Sequence, residues 1–86
     1  MSVEVEVTSN AAVAGLVGRF LENRSIVAKL MPDSDLRDLG LTSLDMVALV
    51  LWVEAEFKLT IPETQITPTN FRSVTSINAL VTSLRG

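Results

Sequence analysis

The chain has 86 residues, of which 48% are apolar and 20% charged, and these values indicate one small soluble domain with a modest core. Cysteine and histidine are both absent, which excludes a disulfide framework, a zinc site of the Cys/His type, a thiolate nucleophile and a Ser/His/Asp triad. The sequence has no apolar run of about 18 residues and no signal-peptide pattern, so we expect a cytoplasmic protein without stable membrane insertion.

The net charge is −3, and the acidic residues are concentrated in the middle of the chain. Between Asp33 and Glu63 there are seven acidic residues against Arg37 and Lys58, a local balance of −5. Because nucleic acids bind basic surfaces, we do not expect one as a partner. The acidic segment suggests a face that attracts basic partners, although a bias of this size is also common in surfaces that only maintain solubility.

Valine and glutamate alternate at the start of the chain, and with no strand partner nearby we expect residues 1–8 to form a flexible tail. Ser9 or Asn10 is a good N-cap, and apolar residues then recur at helical spacing up to about Arg24. The pattern predicts a first helix after this cap. Its apolar stripe comprises Val13, Leu16, Val17, Phe20 and Leu21.

Helical spacing is lost between residues 25 and 41, where Pro32 and Gly40 interrupt the backbone, and a long loop is predicted there. Loops of this length in compact domains are usually functional or packed by their own side chains. We expect four leucines to anchor this one: Leu30, Leu36, Leu39 and Leu41.

The second helix is predicted to begin at Thr42, whose Thr-x-x-Asp pattern with Asp45 is typical of a capping box. The run from Leu44 to Phe57 contains neither glycine nor proline, and Ile61-Pro62 follows it.

Thr67 and Pro68 have the pattern of an N-cap followed by proline at the first helical position, which predicts a single helical turn around residues 69–71. Ser73 is the predicted N-cap of the last helix, which ends at Gly86. The apolar stripe of that helix comprises Val74, Ile77, Leu80, Val81 and Leu84. The fold class is therefore all-α, with three main helices and one short helical turn.

The second helix has two apolar faces when residues advance by roughly 100° each. The bulkier face suits a core and comprises Met46, Leu49, Val50, Val53 and Phe57. The other face, called the apolar strip below, comprises Leu44, Val47, Ala48, Leu51 and Ala55. The strip is either buried in a central helix or exposed. A domain of this size cannot easily bury a helix on all sides, so we expect an exposed strip that binds a partner.

The segment DLRDLGLTSLD, residues 35–45, resembles the phosphopantetheine attachment segment of acyl carrier proteins, whose usual form is Leu-Gly-x-Asp-Ser-Leu at the start of the second helix. The segment EAEF, residues 54–57, with Leu59, Ile61 and Pro62 after it, is similar to the acidic-aromatic helix end and Ile-Pro loop of that family.

The resemblance covers about Val13 to Leu84 and implies an acyl-carrier-like four-helix bundle with a long first loop, in a single carrier domain over residues 1–86. It implies that Ser43 receives a 4'-phosphopantetheine arm from coenzyme A. A serine at a helix start can also be part of an N-cap, and the two interpretations are compatible because a helix start favours an anion. The arm would hold cargo as a thioester, so the chain would be a carrier and not an enzyme, with no catalytic residue and no metal.

The partners that the resemblance implies are a phosphopantetheinyl transferase, an acyl- or aminoacyl-loading ligase, and downstream synthase or transferase enzymes of fatty acid, polyketide or related biosynthesis. We expect a monomer that these enzymes bind transiently, with acidic side chains steering and an apolar strip fixing the contact. The predicted docking residues are Thr42, Leu44, Asp45, Val47, Ala48, Leu51 and Glu56. The alternative is an unmodified helical interaction module that uses the apolar strip to bind a partner helix.

The chain departs from the usual family pattern at several positions. Thr42 replaces the aspartate before the serine, which puts in doubt recognition by a transferase of the fatty-acid type. Ala48 and Ala55 stand where carriers of fatty acid synthesis commonly have glutamates. The segment NFRSV, residues 70–74, is similar to stand-alone carriers used with adenylating ligases, including aminoacyl and D-alanyl carriers. These departures indicate specialised partners.

Overall fold

The computed structural model describes the backbone of residues 2–85 and the side chains of residues 11–85. It contains three α-helices, α1 (Ser2–Asn23), α2 (Ser43–Phe57) and α3 (Val74–Arg85). A short 3-10 helix at Glu63–Gln65 lies between α2 and α3. The described backbone contains no strand, so the prediction of an all-α fold with three main helices is confirmed.

Helix α1 begins earlier than the sequence predicted. It starts at Ser2, so the N-cap predicted at Ser9 or Asn10 is wrong, and both residues lie within the helix. Nothing between Ser2 and Asn10 stops a helix, because the segment has neither glycine nor proline and glutamate is a good helix former. The flexibility predicted for residues 1–8 stays a prediction, since Met1 and the side chains of residues 1–10 lie outside the described part of the chain.

A left-handed residue ends α1. Ser25 has φ 59°, and the backbone N–H of Ile26 donates to the carbonyl of Leu21 at 2.9 Å. This pairing is that of a Schellman motif, in which the chain reverses and places the next apolar side chain against the helix it has left. Ile26 is accordingly half-buried against the core.

The core forms where α1 packs against both α2 and α3. The predicted stripes supply it: every α1 stripe residue is buried, and α3 contributes Val74, Ile77, Leu80 and Val81, with Leu84 half-buried. The rings of Phe20 and Trp52 meet edge to face, with their centroids 5.1 Å apart and their planes at 89°. This contact fixes α1 against α2 with a geometry that aromatic rings favour.

The long loop between α1 and α2 is anchored as predicted. Leu36 and Leu41 are buried, and Leu30 and Leu39 are half-buried against the core. The Leu36 N–H donates to the carbonyl of Arg72 at 2.8 Å, which joins the loop to the segment before α3. The loop therefore sets the position of the α2 start relative to that segment.

The chain between α2 and α3 is held by polar side chains. The Glu54 carboxylate accepts a 2.8 Å hydrogen bond from the Ile61 N–H, and Thr67 Oγ1 accepts one of 3.2 Å from the Asn70 N–H. Thr67 therefore caps a single turn at residues 68–71, close to the turn predicted there, while the 3-10 helix at Glu63–Gln65 was not predicted.

The start of α3 agrees with the sequence prediction, because Ser73 Oγ accepts a 3.1 Å hydrogen bond from the Ser76 N–H, as an N-cap does.

The described helices include no segment with the length and hydropathy that a membrane span requires. The cytoplasmic location and the monomeric state stay predictions.

Candidate functional site

A capping box between Thr42 and Asp45 opens α2. Thr42 Oγ1 accepts a hydrogen bond from the Asp45 N–H at 3.2 Å, and the Asp45 carboxylate accepts one from the Thr42 N–H at 3.0 Å. Each side chain satisfies a backbone donor that the helix leaves without a partner, so the predicted capping box is confirmed. The cap therefore fixes the backbone of the first turn, which includes Ser43.

Ser43 is the first residue of α2, and its side chain is exposed. Within the described residues, no hydrogen bond involves its hydroxyl, because Thr42 performs the capping that a serine at a helix start usually provides. The hydroxyl thus lies at the positive end of the helix dipole with its oxygen available for chemistry. This arrangement favours the addition of an anionic group at Ser43.

The Asp45 carboxylate is held on two sides. It accepts hydrogen bonds from Thr42, and it forms a 3.1 Å ion pair with the Nε of Arg24 from the end of α1. The hydrogen bond from the Thr42 backbone N–H is the main cause that holds the pKa of Asp45 below its ordinary value, and Arg24 adds to it. The Arg24 guanidinium in turn lies 4.8 Å from the centre of the Phe20 ring. Asp45 therefore joins the α2 start to α1.

The two faces of α2 separate as predicted. Leu49, Val50 and Val53 are buried, and Met46 and Phe57 are half-buried at the edges of that face. On the apolar strip, the exposed fractions are 82% for Leu44, 57% for Val47 and 60% for Leu51. Ala55 is exposed as well, and Ala48 is half-buried against the core. The strip is therefore an open apolar surface that begins next to Ser43.

The second acidic residue predicted for docking, Glu56, is also paired with α1. Its carboxylate lies 3.4 Å from a guanidinium nitrogen of Arg19. Glu56 comes 13 positions after Ser43, which corresponds to roughly 20 Å along the helix axis. The structure therefore brings Ser43, Leu44 and Val47 together at one end of α2 and places Glu56 near the other end.

A cavity of about 210 Å³ opens beside Ser43, between α2 and the segment before α3. Its apolar wall is formed by Met46, Val47, Val50, Ile66, Pro68 and Phe71. Its remaining lining residues are Ser43, Thr67 and two arginines, Arg37 and Arg72. Sequence reasoning missed both arginines as site residues, because they are 35 positions apart and no motif spacing connects them.

Comparison with known proteins identifies a family. The model of the family described as "Phosphopantetheine attachment site" matches residues 11–84. Aminoacyl carrier protein 1 of Bradyrhizobium diazoefficiens is 50% identical over 66 residues, which are 77% of this chain and 73% of the relative. Aminoacyl carrier protein 2 of the same organism is 43% identical over 74 residues, which are 86% of this chain and 83% of the relative.

Two solved structures share the fold. The first match is a chain from the crystal structure of the Bradyrhizobium japonicum glycine:[carrier protein] ligase complexed with its cognate carrier protein and an analogue of glycyl adenylate. The TM-score is 0.79 at 42% identity, and the match covers 88% of this chain and 97% of the matched chain. The second is that ligase complexed with glycylated carrier protein, with a TM-score of 0.76 at 42% identity, covering 85% of this chain and 97% of the other.

Proposed function

This chain belongs to the phosphopantetheine attachment family of carrier proteins, and from that premise we propose that Ser43 carries the 4'-phosphopantetheine arm and that the cargo is a small aminoacyl group. The chain is a carrier on which other enzymes act, not itself an enzyme. When bound, 4'-phosphopantetheine supplies the thiol that holds the cargo as a thioester, which explains how a chain without cysteine can be a carrier.

The observation that carries the assignment of Ser43 is its exposed hydroxyl, which makes no hydrogen bond to any described residue at the first turn of α2. The residues around it fit the group. The capping box is complete without Ser43, so a modification of the hydroxyl removes no capping interaction. A phosphodiester at this position meets the positive end of α2, which favours an anion.

The relatives support an aminoacyl cargo. Both curated relatives are named aminoacyl carrier proteins, and one similar solved structure contains a glycylated carrier protein. The cavity beside Ser43, at about 210 Å³, is smaller than the roughly 300–1,000 Å³ of pockets that enclose a drug-sized ligand. A small aminoacyl group matches this space better than a long acyl chain.

We place the docking surface for the loading ligase on the exposed part of the apolar strip, with Leu44, Val47 and Leu51 as its main contacts. Thr42 and Ala48 border this surface. Asp45 and Glu56 stay in the proposed surface, but each is paired with an arginine, Arg24 directly after α1 and Arg19 within α1, so their net attraction for a basic partner is reduced. Contact with the ligase then depends more on apolar burial than on charge.

The test of Ser43 is a measurement of intact mass after incubation with coenzyme A and a broad-specificity phosphopantetheinyl transferase. We expect the wild type and Ser83→Ala, which changes an exposed serine of α3, to gain one phosphopantetheine, and Ser43→Ala to gain none. Helicity of Ser43→Ala should be unchanged because Thr42 keeps the cap. A gain that survives Ser43→Ala, or no gain in the wild type with several transferases, contradicts the assignment.

The cargo is tested on the modified protein with ATP, the Bradyrhizobium glycine:[carrier protein] ligase and single amino acids. We expect a second mass increase with glycine that treatment with hydroxylamine removes, since a thioester is cleaved by this nucleophile. Loading by an acyl ligase with a fatty acid, together with no loading by any amino-acid ligase, contradicts the aminoacyl cargo.

A further inference from the structure

Two arginines from different parts of the chain line the cavity that Ser43 borders. Arg37 lies in the long loop before α2, and Arg72 lies in the segment before α3. The 2.8 Å hydrogen bond from the Leu36 N–H to the Arg72 carbonyl joins these segments and places the two residues side by side. The fold therefore gathers two positive charges in the lining of the cavity that Ser43 borders, one from the acidic segment and one from outside it.

Asp35 orients both arginines. One of its carboxylate oxygens is 3.8 Å from the Nε of Arg37, and the other is 3.6 Å from the Nε of Arg72. Both contacts use Nε, and no described residue forms another ion pair with either guanidinium. The terminal amino groups form no ion pair with a described residue, and both side chains are about two-thirds exposed. The three charges sum to +1, so the cluster can accept one anion.

We propose that Arg37 and Arg72 hold the phosphodiester of the arm on Ser43 and thereby direct the arm toward the cavity. This inference rests on the proposed function of Ser43. A phosphodiester carries one negative charge and unesterified oxygens that accept hydrogen bonds from guanidinium groups. Covalent attachment keeps this anion at a high effective concentration next to the two arginines.

The proposal gives the two arginines a positioning role. The guanidinium groups in the cavity lining would hold the phosphodiester next to Ser43, and the adjoining apolar wall, which includes Met46, Val47 and Phe71, would be the surface available to the rest of the arm. The cluster at Asp35 would therefore hold the arm between encounters with partner enzymes.

The test compares apo and modified protein by NMR, using the phosphorus signal of the arm and the Nε–H signals of the arginine side chains. The variants are Arg37→Gln, Arg72→Gln and their double combination, with Arg85→Gln as the matched control. Arg85 lies near the C-terminal end of α2, with its guanidinium 6.0 Å from the centre of the Phe57 ring. Intact mass establishes that each protein is modified, and circular dichroism establishes that each is folded.

On modification, we expect the Nε–H signals of Arg37 and Arg72 to shift and that of Arg85 to stay. The phosphorus line should narrow in the double variant, because a released arm moves faster than the protein. Raising the salt from about 0.1 M to about 1 M should narrow the wild-type line in the same way, since the screening length falls from about 10 Å to about 3 Å.

Three outcomes overturn the inference. If the wild type and the double variant are both modified but have the same phosphorus linewidth, the arginines do not hold the arm, and the proposed function of Ser43 stands. If modification leaves the Nε–H signals of Arg37 and Arg72 where they are in the apo protein, the guanidinium groups do not contact the phosphodiester. If the wild type is never modified, this inference and the proposed function both fail.

Discussion

Replacing Leu51 with glutamate should weaken loading by the aminoacyl ligase and leave the fold intact. Leu51 lies on the apolar strip, and 60% of its surface is exposed. Leu49, two positions earlier on the same helix, is fully buried. The two leucines therefore allow the proposed docking role to be tested separately from folding, because one helix presents the same residue type once to solvent and once to the core.

The magnitudes follow from burial. Full burial of a leucine side chain contributes about 1.5–3 kcal/mol to the free energy of unfolding. Less than half of Leu51 is buried within the fold, so Leu51→Glu should lower the free energy of unfolding by about 1 kcal/mol. For a domain of this size, that is a decrease in Tm of roughly 4–8 °C. Leu49→Ala should cost about 2–5 kcal/mol because it leaves a cavity in the core. If Leu51 is buried against the ligase, its exposed part is worth about 1–2 kcal/mol, so loading at low carrier concentration should slow by roughly five- to thirtyfold.

The assay measures the rate of glycine loading on modified protein with the Bradyrhizobium ligase, and thermal unfolding of the same samples. Thr82→Glu is the control, because it adds the same charge at an exposed position of α3. Equal slowing in Thr82→Glu would assign the effect to net charge. A stability loss in Leu51→Glu as large as that of Leu49→Ala would show that the strip is part of the core, and either result refutes the reasoning.

Two further predictions concern the frame that holds Ser43. The folded-state pKa of Asp45 is lowered, so its charge contributes stability at neutral pH that is lost as the pH falls through that pKa. In urea unfolding, Asp45→Asn should therefore be less stable than wild type at pH 7, and the difference in the free energy of unfolding should shrink below about pH 4. A difference that stays constant with pH excludes this linkage. Gly40 has φ 112°, so Gly40→Ala should lower the free energy of unfolding by about 1–3 kcal/mol. Gly18 lies in α1, and no side chain or neighbouring segment lies within 4 Å of the new methyl group, so Gly18→Ala should raise the free energy of unfolding by about 0.5–1 kcal/mol in the same measurement. Equal effects of the two variants would contradict the backbone argument.

Local patterns in the sequence were sufficient to predict most of the fold and the capping box at the start of α2. The capping box between Thr42 and Asp45 depends only on residues three positions apart, so the sequence pattern and the structure agree. The two faces of α2 follow from helical geometry, and the small size of the domain correctly indicated that one of them is exposed. The carrier function was inferred from motif order around Ser43, and the family match confirms it at that level.

Interactions between distant segments could not be predicted. Asp45 and Glu56 were expected to face basic partners, but the packing of α1 against α2 gives each of them an arginine, Arg24 and Arg19. No sequence pattern carries this information, because both pairings span more than 20 positions. The start of α1 was missed for a different reason. Ser9 and Asn10 are good caps, but they do not stop a helix when the preceding residues can continue it.

The distribution of paired and unpaired acids changes what the acidic segment can do. The carboxylates of Asp35, Asp45 and Glu56 each form an ion pair with an arginine. Asp33, Asp38 and Glu63 are exposed, and no ion pair joins any of them to a described residue.

These three acids lie outside α2, in the loop before it and in the 3-10 helix after it, whereas Glu54 of α2, which also forms no ion pair with a described residue, accepts the hydrogen bond from the Ile61 N–H. Long-range attraction of a basic partner therefore comes from the segments around the helix, and it weakens beyond a screening length of about 8 Å at physiological salt. The proposed docking surface on the helix itself is mainly apolar. A partner without a basic patch can then still bind α2, which agrees with the alanines at positions 48 and 55 where fatty-acid carriers commonly have glutamates.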